Sequence, residues 1–446
     1  MTERKSRSGS GQIVGLNAPP TIRLKQFLSS GYENSVFRRT AVLIGFLVPA
    51  SLANFAALYF MTSLLSPAEF GIFYVANTMG NVLFSGSLIL NMFFARHLVT
   101  TRLAQGEEGA FAAVGLIGRA VIRWGALLGS GALVGMLLFS RNFGMQALSV
   151  IPLITLDAYT SYVADIGRAF FQSLRRTVWL GTYTLGWMTL RLILCVAGVF
   201  AFRTAFGALL GVVASTFLVC IAFRLWTKKR VNVTIESSPL PSLNALLPSI
   251  LGYGLLITIS NLDVLLSYLI LKDGKLGVYS ASSIFPKAML LVTLPFLQIL
   301  FPAMMGGKPS DPESRRVAVK SGIVMAVLAS GGIVGIWLLS GSLCGGKWGV
   351  SLCDPSLLYP LLFSVLPLSL LRVLVLLQFA RSRDWLVSWL ILPTIVCLYA
   401  ATAHRWNAYG MAIGFSVFST ASFVFFLCIH LAAERLSARA RPYYSV

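Results

Sequence analysis

Six ionisable side chains lie inside stretches of sequence that are otherwise almost entirely apolar. A charge near the centre of a bilayer costs about 2.5–3.5 kcal/mol even on the mildest scale, so such a group normally faces an internal cavity or an opposite charge. Buried cations can bind an anionic ligand, and buried carboxylates can relay protons. We therefore expect the chemistry of this protein to involve these residues. They are Asp157, Asp165, Arg191, Asp263, Lys287 and Arg372.

The composition indicates that membrane-spanning helices carry these charges. Of the 446 residues, 57% are hydrophobic and only 11% are charged, whereas an ordinary soluble domain is about 25% charged. Apolar runs of about 20 residues, the length that crosses a bilayer as a helix, recur along the whole sequence. These runs lack period-two alternation, and lipid cannot satisfy open backbone groups, so helices are favoured over a barrel. The predicted fold class is an all-α membrane protein.

Twelve spans account for the apolar runs. The fifth and sixth are separated only by Arg203 and Thr204, which makes that turn the least defined boundary. Residues 1–40 are polar and basic and lack the short apolar core of a signal peptide. The predicted spans are 41–63, 70–95, 116–139, 147–171, 178–202, 205–226, 245–271, 278–305, 317–340, 357–380, 385–403 and 409–433.

Lysine and arginine are distributed unequally between the two faces of the membrane. Basic loops remain on the cytoplasmic side. When the connections are assigned alternately, the face that holds the N-terminus carries 27 basic residues and the other face carries 6. The net charge of +21 is therefore mainly a topology signal, and it predicts that both termini are cytoplasmic. The basic N-terminal tail also offers a contact to anionic membrane lipids.

A hydrophilic linker divides the chain into two halves of six spans. Each half has a similar short motif at the start of its second span, a glycine, an apolar residue and an aromatic residue: Gly71-Ile72-Phe73 and Gly277-Val278-Tyr279. Transporters are often built from such repeats, with the substrate site near the membrane midplane between them. The predicted organisation is a partly disordered cytoplasmic tail (1–40), an N-terminal six-helix lobe (41–226), the cytoplasmic linker (227–244), a C-terminal six-helix lobe (245–433) and a second cytoplasmic tail (434–446).

The sequence argues against several other function classes. Its basic residues are divided among loops without an aromatic-basic module, so nucleic acid is not an expected partner. It contains no GxxxxGK[ST] phosphate loop and no recognisable nucleophile-and-base set, so we expect no enzyme activity. The three histidines lie far apart, and we expect neither a metal site nor a bound cofactor. Cys344 and Cys353 share one short non-cytoplasmic loop, where an oxidising compartment would permit a disulfide.

Three stretches resemble one family of membrane transporters. MTSLLSPAEFGIFYVANTMGNVL is similar to the first inter-helix turn of bacterial oligosaccharide flippases of the polysaccharide transporter type. NLDVLLSYLILKDGKLGVYSASSIF is similar to the matching region of their second half, with Asp263 in span seven and Gly277 and Tyr279 opening span eight. LFPAMMGG, which ends span eight, is similar as well. The long basic N-terminal tail departs from the family pattern.

The resemblance implies a two-lobed transporter of about twelve helices around a central cavity in the bacterial inner membrane. Such proteins move undecaprenyl-pyrophosphate-linked oligosaccharide repeat units to the outer leaflet for exopolysaccharide, capsule or O-antigen assembly. They work by alternating access, and a counter-ion gradient usually drives them, which implies H⁺ or Na⁺ as the coupling ion. The implied partners are the lipid-linked oligosaccharide and the polysaccharide polymerase and export machinery.

Helical depth suggests how the buried charges are arranged. At 1.5 Å per residue, Asp157 and Arg191 lie about 15 and 18 Å from the outer ends of their spans, which predicts one ion pair. Asp263 and Lys287 lie about 12 and 14 Å deep, which predicts a second. We expect Asp165 to pair with Arg168, three residues away, at the cytoplasmic surface.

Arg372 has no acid at its depth on the neighbouring spans. Its guanidinium suits bidentate contact with phosphate oxygens, although it also lies near enough to the cytoplasmic edge to snorkel there. We predict that Arg191, Lys287 and Arg372 supply cations for the pyrophosphate. Asp157 or Asp263 is predicted to couple transport to protons or sodium, and the alternative is that each acid only holds its basic neighbour.

Two rival functions remain open. A multidrug or metabolite exporter of the same superfamily, coupled to cations, would share the fold and the buried acids, but its cargo is usually cationic. A polysaccharide polymerase or ligase would normally need a large outer loop, and the longest outer connection here, near 341–356, is short.

Overall fold

The computed structural model describes residues 31–139, 144–174, 176–228, 243–271, 274–305, 312–344, 352–380, 384–403 and 406–440. The regular structure of these residues is almost entirely helical. Seven of the described helices are long and apolar enough to cross a membrane. The fold class predicted from the sequence, an all-α membrane protein, is confirmed.

The described residues of the first half form six helices. The turn at Arg203 and Thr204 separates two of them, and Arg203 adopts a left-handed conformation with φ of 54°. The helices are α1 (Gly31–Leu64), α2 (Pro67–Leu83), α3 (Ser87–Phe139), α4 (Gly144–Ser173), α5 (Thr177–Phe202) and α6 (Ala205–Lys228).

In the second half, the residues that the structure describes form seven α-helices and one 3₁₀ helix. They are α7 (Leu243–Ile270), α8 (Gly274–Met305), α9 (Pro312–Leu343), α10 (Pro355–Phe363), α11 (Val365–Ala380), the 3₁₀ helix (Asp384–Leu390), α12 (Ile391–Ala403) and α13 (Ala408–Ala440). The tenth predicted span is therefore divided at Ser364, and the eleventh begins as a 3₁₀ helix.

The second predicted span is not continuous. The helix stops at Leu83, and a new helix begins at Ser87. The break releases the carbonyl of Leu83, which accepts a hydrogen bond from the hydroxyl of Tyr162 at 2.8 Å. The following helix bends at Gly106, whose φ of 76° suits glycine. Predicted span two is thus divided between α2 and the first part of α3, and predicted span three lies in α3 beyond the bend at Gly106.

The two halves of the chain meet through a small number of helices. Helices α1 to α6 pack mainly among themselves, and α7 to α13 do the same. Contacts between the halves are made by α1, α2 and α3 on one side and by α7 and α8 on the other. The space between the halves is therefore walled by these helices. The lobe and tail boundaries proposed from the sequence remain predictions, and residues 1–30 and 229–242 lie outside the described residues.

The echoed motifs of the two halves lie against each other. A Cβ built on Gly277 would overlap the backbone carbonyl of Pro67, and one built on Gly71 would lie 2.9 Å from Cγ of Leu276 and 3.1 Å from the nitrogen of Gly277. The beginnings of α2 and α8 therefore touch backbone to backbone, as small residues permit between membrane helices. We call this the glycine contact.

A disulfide joins Cys344 and Cys353, nine residues apart, between α9 and α10. The end of the loop also contacts α8, since the backbone nitrogen of Asp354 donates to Oγ of Ser282 at 2.9 Å.

Replacing Cys344 with serine should lower the free energy of unfolding by about 2 to 3 kcal/mol, the contribution expected from a short closed loop. Thermal unfolding of the purified protein measures this. Cys428→Ser, at an exposed free cysteine, is the matched control, and equal melting temperatures for both variants would contradict the prediction.

Candidate functional site

A cavity of about 260 Å³ lies between the two halves. Its wall is formed by α1 to α5 on one side and by α7, α8 and α11 on the other. On α2 the lining begins at Tyr74, after the glycine contact, and continues into the break between α2 and α3. The uncharged polar residues of the wall are Asn54, Asn77, Thr78, Asn81, Ser85, Ser87, Ser161, Ser260 and Asn261.

The wall brings together most of the charges that the sequence placed inside the membrane. Five of the six line it directly, and Asp263 lies behind Lys287. Arg168, which we had assigned to the cytoplasmic surface, lines the wall too. The charged residues of the lining are Asp157, Asp165, Arg168, Arg191, Lys287 and Arg372.

Lys287 and Asp263 form the ion pair predicted from their matched depths. Nζ of Lys287 lies 2.6 Å from Oδ1 of Asp263, whose side chain is fully buried. The same ammonium donates to the carbonyl of Ser260 at 2.5 Å and to Oδ1 of Asn261 at 3.4 Å. Its three hydrogens thus have three acceptors. Lys287 lines the cavity, and the three acceptors of its ammonium lie on α7 in the second half.

Arg191 and Asp157 line the same cavity, but the predicted contact between them is wrong. Arg191 Nη2 donates to Oδ1 of Asn77 at 2.6 Å. Asp157 Oδ1 accepts from the hydroxyl of Thr216 at 3.2 Å. Within the part of the chain that the structure describes, no ion pair within 4.0 Å joins the two. Depth placed both groups at one level, but each side chain points to a different neighbouring helix.

Asp165 and Arg168 form an ion pair of 2.9 Å, as their spacing predicts. Their predicted location at the surface is wrong, because the Asp165 side chain is only 6% exposed and both residues line the cavity. The guanidinium of Arg168 also stacks on the ring of Trp187 at 4.8 Å. The cavity therefore reaches further along α4 than the end of the apolar run suggested.

Arg372 is the most buried cation of the wall that has no acidic partner. It is 5% exposed, and its Nη1 donates to the carbonyl of Leu290 at 2.8 Å. Its Nε is buried without a hydrogen-bond partner. Among the described residues no carboxylate lies within 4.0 Å of it. Snorkelling to the cytoplasmic edge is therefore the wrong alternative, since the side chain lines the central cavity.

Three further residues of the wall, Trp187, Tyr253 and Asn261, were not predicted from the sequence. Only Asn261 could have been recognised there, because this polar residue precedes the buried Asp263 by two positions. Among the described residues, Arg372 and Arg191 are the cations of this wall without a carboxylate within 4.0 Å, and the amide side chains of the wall add hydrogen-bonding groups.

No family model and no curated protein matches this sequence. Its fold is similar to solved transporters. A MOP superfamily transporter from Pyrococcus furiosus, with a binding pocket described as of reverse polarity, matches with a TM-score of 0.63 at 14% identity, over 92% of this chain and 98% of that one. A Vibrio cholerae MATE transporter gives 0.59 at 16% identity, over 90% and 97%. The inward-facing form of a multidrug resistance MATE family transporter gives 0.63 at 13%, over 90% and 99%.

At these identities the likeness shows the fold. The described residues share the all-helical, two-lobed fold of these solved membrane transporters.

Proposed function

We propose that this protein carries undecaprenyl-pyrophosphate-linked oligosaccharide units across the bacterial inner membrane by alternating access. The observation that carries the proposal is Arg372, a buried guanidinium on the cavity wall with no acidic partner and an unused Nε. A buried charge normally has a partner, and a phosphate oxygen is the acceptor that this fork fits best. Arg191, bonded to an amide rather than an acid, offers a second cation. Lys287 is a weaker candidate, since its three donors are already used.

The rest of the wall supports a glycan beside the phosphate. Amide and hydroxyl side chains from both halves line the cavity, and these groups can exchange hydrogen bonds with sugar hydroxyls. The lipid tail would remain in the bilayer. The polymerase and export machinery are the proposed partners that take over the translocated unit, and both chain termini are proposed to face the cytoplasm.

A deletion strain tests the proposal. Loss of the protein should abolish surface polysaccharide and cause lipid-linked oligosaccharide to accumulate on the cytoplasmic side of the membrane. Wild-type protein supplied from a plasmid should restore both. Normal surface polysaccharide together with unchanged lipid-linked intermediates would refute the proposed cargo.

We assign coupling to Asp157, which faces the cavity and whose described partner is a hydroxyl rather than a cation. Export by Asp157→Asn should fall to the level seen without an ion gradient, because an amide cannot bind the coupling proton or cation. Uptake of labelled cargo into inverted vesicles, with and without an imposed proton or sodium gradient, measures this. The exposed Glu108→Gln is the matched control. A gradient response in Asp157→Asn equal to that of wild type would contradict the assignment.

A multidrug or metabolite exporter is the second candidate. Asp157 and Asp165 line the cavity and would suit a cationic solute, and two of the three similar structures described above are MATE transporters. The same deletion strain separates the candidates. Increased sensitivity to cationic drugs with intact surface polysaccharide would favour the exporter.

A further inference from the structure

The ammonium group of Lys287 sits where a small metal cation could be bound. Three oxygen atoms surround it: the carbonyl of Ser260 at 2.5 Å, Oδ1 of Asn261 at 3.4 Å and Oδ1 of Asp263 at 2.6 Å. All three come from α7, whereas the lysine comes from α8. A carboxylate, an amide and a backbone carbonyl are the oxygen ligands that hard cations prefer. We call these three oxygens the α7 cage.

The cage atoms are held by groups other than the lysine. The Asn261 amide donates its Nδ2 to the carbonyl of Ile257 at 2.8 Å, which turns Oδ1 toward the ammonium. The second carboxylate oxygen of Asp263 accepts from the hydroxyl of Tyr279 at 3.5 Å. The geometry of the cage therefore has support of its own when the ammonium is absent.

A fourth contact is of the kind that recognises positive charge. Nζ of Lys287 lies over the ring of Phe415, 5.3 Å from its centre, and an aromatic face attracts a cation. Phe415 belongs to α13, so it reaches the site independently of α7 and α8.

The position of the lysine decides what can enter the cage. Lys287 lines the cavity, whereas the Asp263 side chain is fully buried behind it. An ion arriving from the cavity would meet the ammonium before it met the carboxylate. All three ammonium hydrogens are used, so the site is filled and its charge is balanced without any free ion.

We propose that the α7 cage is a monovalent-cation site that Lys287 occupies as a tethered cation. The second half of the transporter is then permanently in its cation-loaded form, and it does not exchange that cation with sodium in solution. This inference goes beyond the proposed function, because it holds whichever cargo the cavity carries.

Removing the ammonium should expose the site to free ions. In Lys287→Ala the buried carboxylate loses its partner while the cage oxygens remain, so a sodium ion can take the vacated place. The experiment measures the melting temperature of the purified full-length protein in sodium chloride and in choline chloride at equal ionic strength. The variants are wild type, Lys287→Ala, Lys287→Met, Asp263→Asn and the double variant Lys287→Ala with Asp263→Asn.

Ligand binding to the folded state raises the melting temperature. We expect wild type to melt equally in both salts, Lys287→Ala to melt at least about 2 °C higher in sodium, and the double variant to lose that difference. A wild type stabilised by sodium but not by choline, with the effect abolished by Asp263→Asn, would overturn the proposal. So would a folded Lys287→Ala that does not respond to sodium. If Lys287→Ala does not fold, Lys287→Met takes its place, because its side chain ends one atom short of the ammonium position. It should show the same higher melting temperature in sodium, and a folded Lys287→Met without that response would overturn the proposal. The melting temperatures are measured without cargo, so their outcome is independent of which cargo the cavity carries.

Discussion

Replacing Arg372 with methionine is expected to reduce export of the proposed cargo by about 10- to 100-fold, the effect of losing one or two hydrogen bonds to a charged group. The same change should leave thermal stability unchanged or higher. The guanidinium is 5% exposed with an unused Nε and no carboxylate within 4.0 Å among the described residues. The folded state therefore includes the desolvation cost of a buried charge that no carboxylate offsets. An apolar side chain of similar length removes that cost.

The combination of the two outcomes separates a ligand-binding role from a structural one. Export is measured as surface polysaccharide in a deletion strain that carries each variant at equal abundance, and stability is measured as the melting temperature of purified protein. Arg372→Lys should retain part of the export, because it keeps the charge but loses the fork. Arg224→Met, at an exposed arginine on α6, is the control for loss of a positive charge. A lower melting temperature with normal export would show that Arg372 supports the fold only.

Replacing Gly277 with alanine is expected to separate the two halves at the glycine contact. The added methyl group would overlap the carbonyl of Pro67, and backbone atoms at the start of α2 cannot move aside as a side chain tip can. The conformation described here would become inaccessible. With the proposed topology this contact closes the outer side of the cavity, so the variant should favour a form that is open to the outside.

Chemical labelling of the cavity measures this change. Asn81 lines the cavity and is exposed to it, so a cysteine introduced there, in a background without the four free cysteines, reports access. A membrane-impermeant maleimide added outside the cell should label the Gly277→Ala variant several-fold faster than the parent. Gly331→Ala, where a Cβ would meet nothing within 4 Å, should label like the parent. Equal labelling in all three proteins would contradict the closing role of the glycine contact.

The sequence was sufficient to predict the helical fold class and two of the three proposed ion pairs, Asp263–Lys287 and Asp165–Arg168. Apolar runs define membrane helices because lipid leaves no other way to satisfy the backbone. Depth along a span paired Lys287 with Asp263, which lie on consecutive antiparallel helices. The same argument failed for Asp157 and Arg191, because depth does not give the rotation of a helix about its axis. The partners they found, Thr216 and Asn77, lie on other helices.

Other features of the site depend on contacts that no local pattern contains. Arg372 bonds to a backbone carbonyl, that of Leu290, and any residue type could supply such an acceptor. Arg168 lies near the end of an apolar run, yet the cavity reaches it. The break between α2 and α3 coincides with the triplet Ser85-Gly86-Ser87 in predicted span two, which could have indicated an interruption of the helix. Small and hydroxyl-bearing residues are also frequent in continuous membrane helices, which hid that signal.

The glycine contact limits which substitutions the chain can accept at positions 71 and 277. Gly71 and Gly277 hold equivalent places in the two halves, and each lies against the neighbourhood of the other. In an isologous dimer the same surface of each subunit contacts its equivalent in the partner. The starts of α2 and α8 are arranged in this way, but within one chain. In most packed pairs, a larger residue on one side can be offset by a smaller one opposite. Glycine is already the smallest residue at both places, so neither position can compensate for a change in the other, and selection acts on the two as one.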